Sequence, residues 1–265
     1  MAEPLTGERG LSGDVFSLPD GPGVNAGIRA VFFDAGNTIA YLDVAWIAAR
    51  LREDGWEIDE SALVYGQNVA AYEANRIALL KRYPTDADRL IPYFSRILEL
   101  AGIPADFTLD CAAILLEEHK ANFLWRWVPD FVPATLRELG GRGYILGVVS
   151  NSDGRLKPLF DRTGLSPLFK CIIDSAIVGV EKPSPEIFSL AVEAAETEPE
   201  RCLYVGDIYA VDIEGARRAG INGVLLDPMH LHEEFNCAKI SRLPDVLGML
   251  PPLEGFSGDK GPARG

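Results

Sequence analysis

The chain has 265 residues, enough for one large domain or two modest ones, and 48% of them are hydrophobic, which excludes a disordered polypeptide. The formal net charge of −14 argues against binding nucleic acid or an anionic membrane surface. It also means that an anionic ligand needs local positive charge here, from side chains or a metal ion. Cys111, Cys171, Cys202 and Cys237 form no C-x-x-C pair and read as reduced, small buried hydrophobes. No apolar run reaches membrane-span length, and the start lacks a basic region followed by an apolar one, so a cytoplasmic protein is the expectation.

Residues 1–27 are rich in Gly, Pro and small or acidic residues without a helical period, and read as a flexible extension. The first organised stretch is Ala30-Val31-Phe32-Phe33, an apolar strand that stops on Asp34 and runs into Ala35-Gly36-Asn37-Thr38. A carboxylate there is a costly choice for packing alone. The plain alternative is that Asp34 caps the next turn. Residues 39–43 follow as a short turn or flap.

From residue 44 to 126 the texture becomes helical, with amphipathic segments over 44–54, 60–82, 87–101 and 110–127. Leu63, Gln67, Ala70, Ala71 and Ala74 fall at helical spacing, and Gly102-Ile103-Pro104 is a helix stop. This is a helical module inserted after the first strand. Beyond it, strands and helices alternate: a helix over 133–139, a strand over 144–149, a helix over 156–162 and a strand at 171–173. Then come a helix from Pro185, a strand at 203–205, a helix over 212–219 and a last strand at 224–226. Residues 251–265 read as a second flexible tail. The expected fold is α/β: a doubly wound, Rossmann-like parallel sheet from residues 28–43 and 127–250, carrying residues 44–126 as a helical cap.

In such a sheet ligands bind beyond the strand C-termini. Asp34, Ser150, Lys182 and Asp207 each follow an apolar run and are expected to converge there. Two carboxylates, a hydroxyl, an ammonium and a helix N-terminus suit an oxyanion held with a divalent metal.

These clusters resemble the four motifs of the haloacid dehalogenase-like hydrolase superfamily, most of whose members are phosphatases. They are Asp34 to Thr38; Val148-Val149-Ser150-Asn151-Ser152-Asp153-Gly154; Gly179-Val180-Glu181-Lys182-Pro183; and Val205-Gly206-Asp207 with Asp212-Ile213-Glu214-Gly215-Ala216. The insert is similar to the cap of subfamily I. The resemblance implies Asp34 as nucleophile, forming an aspartyl-phosphate. It implies Mg²⁺ held by Asp34, the Gly36 carbonyl and Asp207, with Asp212 and Thr38 behind them. Ser150, Asn151 and Lys182 would bind the phosphoryl group of a small soluble phosphorylated metabolite, Lys182 also stabilising charge in the reaction. Neither a nucleic-acid nor a membrane partner is expected, and oligomeric state is left open.

One position departs from the pattern. The superfamily's phosphatases carry a second Asp two residues after the nucleophile as general acid and base, and this chain has Gly36. A good leaving group, or a proton from Tyr41, Asp43, Glu57, Glu73 or Glu117, would compensate, and Gly36→Asp is then expected to raise turnover on alkyl phosphates. Otherwise the protein is a weakened relative that binds phosphorylated ligands or regulates. A metal-free dehalogenase is disfavoured by carboxylate repulsion at an anion site. A phosphonatase with a Schiff-base lysine is disfavoured because Lys81 and Lys120 both look solvated. His119 reads as a packing or surface residue, His230 and His232 as an exposed pair, and Phe123, Trp125 and Trp127 as hinge packing between cap and core.

Overall fold

The structure, a computed structural model, describes residues 27–79 and 90–255. The extension read over 1–27 therefore lies almost wholly outside the described residues, as do Lys81 and residues 256–265 of the tail. Strand β1 (Ala30–Phe33) is followed by four helices, α1 (Val44–Glu53), α2 (Glu60–Leu79), α3 (Leu90–Leu100) and α4 (Ala105–Asn122). The chain then alternates through α5 (Phe131–Gly141), β2 (Ile145–Ser150), α6 (Leu156–Arg162), β3 (Cys171–Asp174), α7 (Ser175–Val178) and α8 (Pro185–Ala194). It closes with β4 (Cys202–Gly206), α9 (Glu214–Arg218), β5 (Asn222–Leu226), β6 (Ala238–Ile240) and α10 (Val246–Met249).

The six strands form one parallel sheet in the order β3-β2-β1-β4-β5-β6. β1 lies in the middle, with Phe33 paired to Val148 of β2 on one side and Val205 of β4 on the other. Side chains alternate across the sheet. Val31 and Phe33 pack with α5, α6 and the C-terminal turn, while Ala30 and Phe32 pack with Ile187, Phe188 and Ala191 of α8 and Ala216 of α9. Both faces are covered, as the expected doubly wound arrangement requires. β6 is an addition to the strands read from sequence. Three residues at a sheet edge bury only one clear apolar side chain, Ile240, and leave no periodic signal.

The insert has its own apolar cluster, built on Ile47, Leu51, Leu63, Phe94, Ile97 and Leu115. At Gly66 a Cβ would lie 2.7 Å from the Ile97 carbonyl, so glycine is what lets α2 approach α3. α4 ends earlier than the sequence reading placed it, because Phe123 turns left-handed (φ 57°) and the chain leaves in extended form. The two connections to the sheet then pair with each other, Tyr41 and Trp127 exchanging backbone hydrogen bonds at 2.7 and 3.1 Å. At the other end, Leu253 N–H donates to Arg142 O and Tyr144 Oη to Pro251 O, so residues just past α10 are tied to the sheet's base. No helix among the described residues is long and apolar enough to cross a membrane.

Candidate active site

The parallel register carries the ends of β1, β2 and β4 to the same rim. Asp34, Ser150, Lys182, Asp207 and Asp212 are all buried there. Asp34 continues the β1 line, its N–H donating to Val205 O at 2.8 Å. Lys182 Nζ donates to Asp34 Oδ1 and Asp212 Oδ1, both at 2.6 Å, and to Tyr204 Oη at 3.0 Å. Asp212 can tuck beneath the end of β4 because residue 206 is glycine; a Cβ there would collide with its carboxyl. The second Asp212 oxygen accepts from Ile208 N–H at 2.9 Å.

One ammonium faces three carboxylates. Asp34, Asp207 and Asp212 each offer an oxygen within 4.8 Å of the others. Burial, then repulsion by Asp34 and Asp212, pushes the Asp207 carboxyl well above the ordinary carboxylate range. Burial also raises Asp212, to about 6, although Lys182 opposes the shift. Burial pulls the Lys182 ammonium down, but Asp212 and Asp34 outweigh it and hold the group well above its usual value. The set carries excess negative charge on hard oxygen donors, and fits a divalent cation of the Mg²⁺ type.

Asn37 adopts a left-handed backbone (φ 56°), which asparagine tolerates, and turns its amide into the site. Its Nδ2 donates to Asp207 Oδ2 at 3.0 Å and to Tyr93 Oη at 3.2 Å. Its Oδ1 accepts from Gln67 Nε2 at 2.5 Å and Trp125 Nε1 at 3.0 Å. One core residue thus meets α2, α3 and the returning connection. Gly36 is flanked by the same indole: a Cβ there would sit 3.5 Å from Trp125 Cδ1 and Nε1 and 4.0 Å from Asp34 Oδ2. A single carbon fits there in ordinary van der Waals contact.

The other residues singled out from the sequence fall as follows. Asn151 spends its amide on Lys182, accepting from its N–H at 2.7 Å and donating to its carbonyl at 3.0 Å, so the side chain fixes the lysine loop. Thr38 is fully buried and its Oγ1 has no partner. Of the substitute acids, Tyr41 donates to Thr38 O, Asp43 caps α1 and pairs with Arg126, and Glu57 lies 3.8 Å from Arg52. Glu73 pairs bidentately with Arg96, and Glu117 pairs with Lys120. His119 is buried among Phe94, Phe123 and Trp125, and burial pulls its pKa down to about 4. The His230–His232 pair divides: His230 is exposed, while His232 is buried beside Asn75 and Tyr72, correcting its reading as part of an exposed pair.

Sequence reasoning missed Gln67, Asn75, Tyr93, Tyr204 and the polar use of Trp125. Gln67 alone left a trace, an amide within an otherwise apolar helical stripe. Tyr204 is indistinguishable from a core aromatic until Lys182 is seen against its hydroxyl.

The model of the haloacid dehalogenase-like hydrolases matches residues 28–220. The human haloacid dehalogenase-like hydrolase domain-containing protein 3 is 31% identical over 80% of this chain and 86% of its own length. The mouse protein of that name matches over 63% of its length. A protein of Pyrococcus furiosus named glyceraldehyde 3-phosphate phosphatase is 29% identical, over 84% of this chain and 93% of that one. Among solved structures, the hydrolase YfnB of Bacillus subtilis, described as bound to magnesium, shares the fold with a TM-score of 0.56 and 22% identity, over 84% of this chain and 98% of that one.

Proposed function

The chain belongs to the haloacid dehalogenase-like hydrolase family, and from that premise we propose that it is a Mg²⁺-dependent phosphohydrolase of a small phosphorylated metabolite, working through an aspartyl-phosphate on Asp34. The observation that carries this reading is the charge balance at the rim: three buried carboxylates within 4.8 Å of one another, with Lys182 bonded to two of them. Asp34, the Gly36 carbonyl and Asp207 would hold the cation, with Asp212 and Thr38 behind them. When bound, the cation neutralises charge on the transferring phosphoryl group.

This chain's own residues do the rest. Lys182 holds the Asp34 carboxylate in one orientation, so that its free oxygen attacks phosphorus as the ester oxygen departs. Ser150 and the N–H of Asn151 bind phosphoryl oxygens, and Lys182 offsets charge that grows during transfer. Water then hydrolyses the aspartyl-phosphate and restores Asp34. The insert over residues 44–126 acts as a subfamily I cap on the core of residues 28–43 and 127–250, with extensions at 1–27 and 251–265. Gly36 removes the usual acid and base. The names of the archaeal relatives favour a short, phosphorylated carbon skeleton as substrate.

The test is phosphate release from p-nitrophenyl phosphate and a panel of phosphorylated metabolites, with Mg²⁺ and with chelator. Release that needs the metal and disappears in Asp34→Asn is expected. Release indifferent to both would remove the reading. The missing acid favours one second reading, a slowed relative that keeps the phosphate pocket; it predicts phosphate-ester binding by calorimetry without turnover.

A further inference from the structure

Tyr204 lies in the middle of β4 and is fully buried, its ring edge-on to Phe188 of α8 with the centroids 5.0 Å apart. Packing accounts for the ring and not for the hydroxyl, since a phenylalanine would fill the same space. A buried hydroxyl is costly unless it is bonded. This one joins three elements. It donates to Val149 O of β2 at 2.6 Å, and Lys182 Nζ, from the loop before α8, donates to it at 3.0 Å. Asp212 Oδ1 lies farther off, at 3.3 Å. A phenol has one proton, so the short bond to Val149 takes it and leaves an oxygen lone pair for the ammonium.

Lys182 is the only buried lysine among the described residues. Its ammonium carries three hydrogens and meets three acceptors, Asp34 Oδ1, Asp212 Oδ1 and Tyr204 Oη. Two of these are carboxylates and the third is neutral, so Tyr204 engages the last hydrogen without adding charge to the rim. Without that hydroxyl the ammonium would be free to turn, and its bond to Asp34 would no longer be fixed in direction. The other end of the residue is fixed as well. Asn151 accepts from the Lys182 N–H at 2.7 Å and donates to its carbonyl at 3.0 Å. Val149 and Asn151 flank Ser150 in the chain, so the backbone of Lys182 and, through Tyr204, its ammonium are both tied to the end of β2.

We propose that Tyr204 is a positioning residue for the reaction: by accepting the third hydrogen of the Lys182 ammonium and donating to Val149, its hydroxyl holds that ammonium against Asp34, so that the attacking carboxylate keeps one orientation. The proposal rests on the phosphatase reading and adds a residue that acts through Lys182 without touching the substrate.

Tyr204→Phe keeps the ring and removes the hydroxyl. With p-nitrophenyl phosphate and Mg²⁺, kcat is expected to fall about tenfold while KM stays within about twofold, because the lost bond orients the nucleophile and not the ligand. The second readout is the ammonium itself, followed by proton–nitrogen NMR of protein labelled at lysine Nζ. In the wild type its hydrogens should exchange slowly enough with water to give a resonance at neutral pH, where exposed ammonium groups are lost to exchange; in Tyr204→Phe that exchange should quicken by about tenfold or more. A role in packing alone would lower Tm and leave kcat, KM and the exchange unchanged, which would overturn the proposal. A rise in KM with kcat kept would overturn it too, since Tyr204 would then serve substrate binding. If Tyr204→Phe does not fold, the wild type decides: a slowly exchanging tyrosine hydroxyl proton with an Overhauser contact to the Lys182 ammonium is expected, and its absence would overturn the proposal. No phosphate release by the wild type from any ester would overturn the phosphatase reading instead, and the spectra would still test whether Tyr204 holds Lys182.

Discussion

The two sides of the site are built differently. The sheet side is charged: Asp34 and Asp207 follow the ends of the central strands β1 and β4, Asp212 lies just beyond β4, and Lys182, from the loop before α8, bonds to Asp34 and Asp212 at 2.6 Å. The cap side is neutral: Gln67, Asn68, Tyr72, Asn75, Tyr93 and Trp125 contribute amides, phenols and an indole. Charge that performs chemistry must be held within fractions of an ångström, which strand ends provide. Neutral donors and acceptors tolerate small shifts in position and are buried without a large desolvation penalty once paired. Asn37 stands on the boundary, with one hydrogen bond to Asp207 and three to the cap side.

The division is tested most severely on the charged side. Asp34→Asn is expected to lower kcat by at least about 10³-fold with the fold intact by circular dichroism. Retained turnover would move the nucleophile elsewhere. Lys182→Ala leaves two buried carboxylates without their partner, and should cost about 3–5 kcal/mol in denaturant unfolding besides abolishing activity. A cost below about 1 kcal/mol would mean that the rim relaxes rather than holding its charges rigidly.

The boundary gives the next effect. In Gly36→Asp the new side chain shares its surroundings with the Trp125 indole, 3.5 Å from the Cβ, and Asp34 Oδ2, 4.0 Å from it, so the gain is expected to be small. Combined with Trp125→Ala, the new carboxyl has room, and turnover on an alkyl phosphate should rise by about 10²-fold over Trp125→Ala alone. Additive effects of the two changes would show that the indole does not occupy that space.

Cation binding probes the same carboxylates more gently. Asp212 in the cation-free protein is raised to about 6, and Asp207 is also raised. A carboxyl raised by folding binds its proton more tightly in the native state, so its contribution to stability is present at low pH and is lost as pH rises through the folded value. A cation must displace those protons. The Mg²⁺-induced gain in stability, about 2–3 kcal/mol at a hundredfold excess over Kd and read as a rise in Tm, should therefore be larger at pH 7.5 than at pH 5, shrinking as pH falls through about 6. An equal rise at pH 5 and 7.5 would remove these carboxyls from the cation site. The smallest effect belongs to Glu73→Gln on the cap: its pairing with Arg96, about one-third exposed, is worth roughly 0.2–1 kcal/mol. Activity should be unchanged. A loss of activity would make Glu73 the missing acid.

The core was legible where a residue type was wrong for its setting. Asp34 and Asp207 end apolar runs, and Lys182 follows a turn before a proline-started helix; none of these positions is explained by packing. The alternation of strands and helices carried the parallel sheet with them. The edge strand β6 was too short to register, and His232 sat in a loop that composition alone describes as solvated. On the cap the signal failed for a different reason. Asn68, Tyr72 and Asn75 lie on the surface of a helix, where amides and phenols are ordinary, and only the partner surface shows that they face inward.

The sequence alone determined the order of the elements, the helical insertion after β1 and the charged residues at the strand ends, because ionised groups beside apolar runs are too costly to arise from packing. Tertiary structure decided what surrounds them: the indole against Gly36, the Asn37 link to the cap and the unpaired nitrogen of His232. Those contacts join residues far apart in the chain through neutral groups, whose burial carries too small a penalty to mark them in a one-dimensional pattern.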